Sequence, residues 1–358
     1  MDLEAAVENY AERDWRTGVE GTVRFALVGI GWWTTDVAIP AIESTELCRT
    51  TTLVSSSAEK GRRVAAEHDV DHAITYDEFH DGAAADAYDA IYVATPNAYH
   101  LEYAETAAEL GKAVLCEKPM EATVERAERL VETCEEHDVP LMVAYRMQTD
   151  PSVRRARRLI EDGVLGEPVQ VYGNNSQPLL EMIPDPDQWR LDPELSGYGT
   201  SVMDLGIYPI NTARYLLDRD PVAVQAWLTS SHEAFSDVPD ERSSMLLRFE
   251  GDVHAVSTSS QRAQRDSQLK VTGTEGQIDL RPAFGGQCTL TVTRGDVTVE
   301  LSDESMDAER EMELEFDYFA DRVLGGDPIG PDGRHGLTDM RVIEAIHEAD
   351  RTGGVVEP

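Results

Sequence analysis

Lysine is nearly missing from this 358-residue chain. Lys60, Lys112, Lys118 and Lys270 are the only four, and arginine supplies the other basic side chains. Cysteine is as sparse: Cys48, Cys116, Cys134 and Cys288 lie far apart with no C-x-x-C pair, which argues against a structural zinc or a disulfide framework. Two of them sit in apolar runs and read as small core residues, as a reducing, cytoplasmic compartment allows. No stretch approaches the ~20 continuous apolar residues of a membrane span. Residues 1–15 have neither a basic start nor an apolar h-region, so no secretory leader is expected. Positive charge is short overall: 31 Lys and Arg stand against 68 Asp and Glu, a net charge of −37. A nucleic-acid binder needs the opposite sign. The acids are spread along the chain rather than gathered in a tail. Self-repulsion on this scale is tolerable where molar salt screens charge within about 3 Å, which predicts a salt-filled cytoplasm. A basic residue kept in such a chain is a candidate for a specific task.

Two domains are expected at this length, because one core rarely grows so large. Residues 1–22 read as an N-terminal arm with a short acidic helix. From residue 23 onward, short apolar runs at 23–28, 53–54, 90–93, 113–116 and 141–143 alternate with helical stretches at 59–68, 101–110 and 124–137. That alternation predicts β-α-β units on a parallel sheet, an α/β Rossmann domain over 23–146. The alternation then stops. A helix at 151–161, a strand at 168–174 and a Pro/Asp-rich loop at 178–199 precede a helix from about Ser201 to Leu217. Seven short strands follow between 222 and 301, several separated by Gly and Asp turns such as Glu250-Gly251-Asp252 and Arg294-Gly295-Asp296. The pattern predicts an α+β domain over 147–358 with a large, mainly antiparallel open sheet. It would bind substrate and join subunits, with the last helix free to pack back on the first domain.

The first run ends in Gly29-Ile30-Gly31-Trp32-Trp33-Thr34. This G-x-G-x-x-T follows a strand and opens the first β-α unit, where a tight turn and bare backbone amides receive a pyrophosphate at a helix N-terminus. Gly29, Ile30, Gly31, Trp32 and Trp33 are therefore candidate cofactor contacts. Thr34 replaces the third glycine, which loosens the packing of helix on strand. An NAD-selective site carries Asp or Glu about 20 residues further on. Here Ser55-Ser56-Ser57 and Lys60 occupy that region, with Arg62 and Arg63 close by. Hydroxyls and cations suit a 2′-phosphate, so Ser56, Ser57 and Lys60 point to NADP, with NAD a weaker possibility. Two further strands end in Thr95-Pro96-Asn97, with His100 beyond, and in Glu117-Lys118-Pro119. Both ends lie at the carboxyl edge of the sheet, where ligands bind.

From Val23 to the final helix the chain resembles the glucose–fructose oxidoreductase, inositol dehydrogenase and MocA family. The resemblance rests on the G-x-G turn, T-P-N-x-x-H at 95–100, E-K-P at 117–119, Tyr145-Arg146, Gln188-Trp189-Arg190 and D-x-G-x-Y at 204–208. It implies Lys118, Asp204 and Tyr208 as the catalytic group and a cis peptide bond before Pro119. Thr95, Asn97, His100, Glu117, Lys118, Arg146, Trp189 and Arg190 are implied around the cofactor, although Trp189 could instead pack between domains. Asn175 and Gln177, beside the first strand of the second domain, are candidates for sugar hydroxyls together with Lys118, Asp204 and Tyr208; Gln177 could equally be a surface-loop residue. Many family members carry His where Tyr208 stands, which favours an aldose-oxidising type. The implied reaction is NADP-linked oxidation of a cyclic aldopentose, D-xylose first, at C1 to the lactone. Tyr208 would accept the O1 proton and Lys118 would stabilise the phenolate. Asp204 and Tyr208, four apart on a predicted helix, share one face. No metal is required. Two alternatives stay open: another oxidation or dicarbonyl reduction within the family, and a non-catalytic sugar or nucleotide sensor, which would be expected to lose the Lys or the acid–base residue. A homodimer or homotetramer through the open sheet is expected, because a bare sheet must be covered.

Overall fold

The computed structural model describes residues 3–8, 10–302 and 305–358. Contacts divide the chain into two compact units. One comprises Trp15–Arg146 with Ala308–Leu337; the other comprises Met1–Asp14, Met147–Asp307 and Thr338–Pro358. The first division falls after Arg146; the segment 308–337 groups with the first unit, and residues before Trp15 group with the second.

In the first unit six strands form one parallel sheet: β1 (Val23–Val28), β2 (Cys48–Ser55), β3 (His72–Thr75), β4 (Ala90–Val93), β5 (Ala113–Glu117) and β6 (Leu141–Ala144), in the order 3-2-1-4-5-6. This is the doubly wound order, and its switch point lies between β1 and β4. Both central strands are almost wholly apolar, Arg24 excepted, because both faces of the sheet are covered. The helix Ala308–Gly325 supplies part of that cover: Phe316 meets Phe25 at 5.2 Å and Tyr92 at 5.1 Å between ring centroids, both edge-to-face. All four cysteines are buried and free.

In the second unit eight strands form a mixed sheet. They are β7 (Pro168–Ser176), β8 (Pro221–Thr229), β9 (Arg242–Phe249), β10 (His254–Ser260), β11 (Asp266–Gly273), β12 (Gly276–Arg281), β13 (Thr289–Arg294) and β14 (Val297–Ser302), in the order 14-13-12-11-7-10-9-8. Every described pairing is antiparallel except β7 with β10. One face carries the helix Ile207–Leu217. A Cβ on Gly173 of β7 would stand 2.7 Å from the Pro209 ring, so the helix approaches that strand only because residue 173 has no side chain. The other face leaves Tyr172, Trp227, Leu246 and Val256 exposed. Strand β9 shows the cause in its strict alternation, with Ser243, Met245, Leu247 and Phe249 buried and the residues between them exposed. Among the described residues no helix is long and apolar enough to cross a membrane.

Candidate active site

The first unit builds its ligand edge from the switch point. Gly29 adopts φ +89, and a Cβ there would lie 2.8 Å from the Ala94 carbonyl oxygen, so only glycine fits. At Gly31 a Cβ would meet nothing within 4 Å, which leaves that backbone open. Thr34 does more than replace a glycine. It is fully buried, and its hydroxyl donates to the Gly29 carbonyl at 2.6 Å. The following turn, Thr34–Ala38, is π-helical before the α-helix Ile39–Ser44 begins, so the extra side chain is taken up by a wider turn. Ser57 caps the helix Ala58–Glu67, its hydroxyl accepting from Lys60 N. Lys60 reaches back 2.6 Å to the Ile30 carbonyl, which brings a cation to the glycine turn. Ser56 stays exposed.

The ends of β4 and β5 are tied together by His100. This residue is fully buried; Nε2 lies 3.0 Å from the Thr95 carbonyl and Nδ1 lies 3.3 Å from that of Met120. Both ring nitrogens face protein backbone, so His100 braces the two loops. Thr95 Oγ1 is buried without a hydrogen-bond partner among the described residues, and Asn97 is buried beside it in sequence. The peptide bond between Lys118 and Pro119 is cis. The open Gly31 backbone, the crowded Gly29 turn, the cation on it and the orphaned Thr95 hydroxyl together fit a phosphorylated dinucleotide.

Beneath this edge lies a buried polar network. Trp33 Nε1 donates to the Tyr92 hydroxyl at 3.0 Å, which donates to Glu117 Oε1 at 2.6 Å; Glu117 Oε2 accepts from Lys118 N at 3.1 Å. Burial, then the Glu117 carboxylate, hold the Tyr92 phenol well above its ordinary value. Arg146 stands over the Trp33 ring at 5.3 Å and pairs with the buried Glu311 at 3.1 Å. Glu315, one helical turn on, is also fully buried, and neither carboxyl oxygen has a hydrogen-bond partner among the described residues. Burial, reinforced by the charge of Glu117, raises its pKa well above the usual carboxyl range. Trp32, in contrast, is exposed and meets Trp33 edge-to-face.

The second unit collects the other expected residues on one helix start. A π-helical turn, Val202–Gly206, leads into the α-helix Ile207–Leu217, so Asp204 and Tyr208 straddle the change of helical pitch. Asp204 Oδ2 accepts from Gln261 Nε2 at 2.9 Å and from Gln177 Nε2 at 3.4 Å, and lies 3.4 Å from Arg190 Nε. Arg190 also covers the Trp189 ring at 4.5 Å. Tyr208 packs against Phe284 at 5.6 Å. Arg190 thus stands beside Asp204. Asn175 is buried, and its amide donates to the Leu205 carbonyl at 3.3 Å, so it braces the π turn. The helix start is held from a distance: Asp240, fully buried, accepts from Thr200 N at 2.6 Å and Val202 N at 2.7 Å. Burial raises the Asp240 carboxyl to about 7 against the pull of those amides. Gln261 and Asp240 carry no local motif, and sequence reading passed over both.

Residues 23–145 match a model described as the oxidoreductase family, NAD-binding Rossmann fold, and residues 153–279 match the GFO/IDH/MocA C-terminal domain. The chain belongs to the GFO/IDH/MocA family. It is 54% identical over 361 residues to the D-xylose 1-dehydrogenase [NADP(+)] of Haloarcula marismortui, covering 99% of each chain. Similarity to D-xylose 1-dehydrogenase (NADP(+)) 2 of Haloferax volcanii is 30% over 339 residues, 93% of this chain and 99% of that one. Among solved structures in the family, the aldose–aldose oxidoreductase of Caulobacter crescentus complexed with glycerol superposes with a TM-score of 0.87 at 30% identity, covering 94% and 100% of the two chains.

Proposed function

We propose that this chain is an NADP-dependent sugar dehydrogenase that oxidises a cyclic aldopentose, D-xylose first, at C1 to the aldonolactone. The observation that carries this reading is the end-to-end similarity to the Haloarcula D-xylose 1-dehydrogenase [NADP(+)]. The cofactor preference is supported by the Ser56, Ser57 and Lys60 cluster where an NAD-selective site has a carboxylate. Gly29, Ile30, Gly31, Trp33 and Thr95 would hold the dinucleotide, and bound NADP⁺ supplies the hydride acceptor.

The protein's own residues manage the proton. As C1–H leaves with its electron pair, the O1 proton passes to Tyr208. The phenolate of Tyr208 is the form that accepts this proton, and the Lys118 ammonium would offset its negative charge. Asp204, fixed by Gln261, Gln177 and Arg190, orients the sugar. The chain works in a salt-filled cytoplasm, where screening offsets its charge of −37, and pairs with a second copy through the exposed sheet face around Trp227 and Leu246.

Initial rates at molar KCl with D-xylose, D-glucose, L-arabinose and D-ribose, each with NADP⁺ and NAD⁺, test the reading. D-xylose with NADP⁺ should give the highest kcat/KM. Lys118→Ala and Tyr208→Phe should lose roughly 10²–10⁴ in kcat while still binding NADP⁺. Variants near the wild-type rate would remove both residues from the chemistry.

A further inference from the structure

The one parallel pair in the second sheet sets up a polar chain with no sequence signature. The β7–β10 register pairs Ser176 with Ser260. Gln177 and Gln261 therefore follow as neighbours just past the strand ends, tied by Gln177 N donating to the Ser260 carbonyl at 2.9 Å. Gln261 is fully buried and its backbone is pinned on both sides: N donates to the Glu241 carbonyl at 2.9 Å, and O accepts from Leu179 N at 2.8 Å. Its side chain bridges Asp204 Oδ2 and Gln177 Nε2, both at 2.9 Å.

A primary amide donates only from nitrogen and accepts only at oxygen. A carboxylate oxygen only accepts. The Gln261 nitrogen must then face Asp204, which turns its carbonyl oxygen toward Gln177. Gln177 must answer with its nitrogen, and its own Oε1 is left without a partner among the described residues. The charge on Asp204 thus dictates the direction of two successive amides. Gln177 is half-buried, so its oxygen remains within reach of a ligand.

We propose that Gln261 is a positioning residue that locks Gln177 as a hydrogen-bond acceptor for one sugar hydroxyl while holding the Asp204 carboxylate in place. The assignment rests on the aldose reading above. It makes the site select for a substrate that carries a donor at that position, because a buried acceptor left unpaired is costly whereas a matched hydroxyl is not.

The test measures kcat and KM for D-xylose and its 2-, 3- and 4-deoxy analogues with NADP⁺. The proteins are wild type, Gln177→Met, Gln261→Met, the double variant and Gln261→Glu, with folding followed by circular dichroism and NADP⁺ binding by tryptophan quenching. In wild type one deoxy analogue should lose roughly tenfold or more in kcat/KM, the equivalent of one hydrogen bond. Gln261→Met should shrink that discrimination to about twofold, with the double variant no different from Gln177→Met, as coupled residues require. Gln261→Glu keeps an acceptor for Gln177 but repels Asp204, so it should preserve the discrimination and lower kcat; this arm stands even if the methionine variant misfolds. Wild type that discriminates against no analogue, or Gln261→Met that discriminates as wild type does, overturns the assignment alone. Wild type that oxidises no aldopentose overturns the functional reading, and the assignment falls with it.

Discussion

Replacing Glu315 by methionine should make the protein more stable, and increasingly so as pH rises. The carboxyl is fully buried, neither oxygen has a hydrogen-bond partner among the described residues, and Glu117 lies close enough to disfavour its charge. A buried polar group without partners costs about 1–3 kcal/mol on its own. Ionisation adds a second cost. The group's folded-state pKa is raised above its ordinary 4.5, so its favourable balance is complete below that value and is lost as pH climbs toward the folded pKa. Within that window wild type falls behind a non-titrating variant by about 1.4 kcal/mol per pH unit. Methionine matches glutamate in length and brings no charge to bury, at an overpacking cost of about 1 kcal/mol. Urea unfolding at molar KCl, run from pH 5.5 to 8.5, reads both components. Glu315→Met should exceed wild type by a margin that widens with pH. A variant less stable than wild type at pH 8, or a margin flat across the series, would refute the idea that this acid is an uncompensated burial.

Two further outcomes follow from the second unit. A methyl group on Gly199 would stand 2.1 Å from Oδ1 of Asp240, whose carboxyl two backbone amides already hold, Thr200 N at Oδ1 and Val202 N at Oδ2. Gly199→Ala should cost roughly 1–3 kcal/mol of stability and lower kcat with it, since the same carboxylate caps the turn carrying Asp204; an unchanged kcat would show that the cap and that turn are independent. Burial lowers His347 to about 4 from 6.5. The neutral ring contributes fully above pH 6.5, and that contribution drains away as pH falls to 4, by about 3 kcal/mol in all. His347→Phe, keeping a flat ring against Tyr198, should flatten the acid limb of a stability–pH curve; an unaltered limb would place the acid sensitivity elsewhere.

The strands were legible because burial writes itself into the chain. Two-sided burial makes β4 a continuous apolar run and β1 one broken only by Arg24, and one-sided burial makes β9 alternate; Gly251 and Gly295 mark hairpin turns by their positive φ. The glycine turn was legible because sterics at Gly29 admit one residue type. What escaped notice depends on partners far along the chain. Asp240 reaches back about 40 residues to a helix start, Gln261 about 60 to Asp204, and the helix Ala308–Gly325 packs on strands some 220 to 290 residues earlier. None of these spacings has a period. The backbone carbonyls that His100 and Asn175 meet were illegible for a related reason: a polar residue next to a site reads alike in sequence whether it faces a ligand or a carbonyl. The two π turns, at 34–38 and 202–206, add one residue of pitch that no local composition announces.

The shortage of lysine reshapes the chemistry of labelling. Of the four side-chain amines, Lys60 hooks onto the glycine turn, Lys118 follows the Glu117 carboxylate, Lys112 covers the Tyr88 ring, and Lys270 lies on β11. Acylating dyes, aldehyde fixatives and amine-coupled resins would find few anchoring points away from the nucleotide edge. Attachment through the abundant surface carboxylates, activated with carbodiimide, would spare that edge.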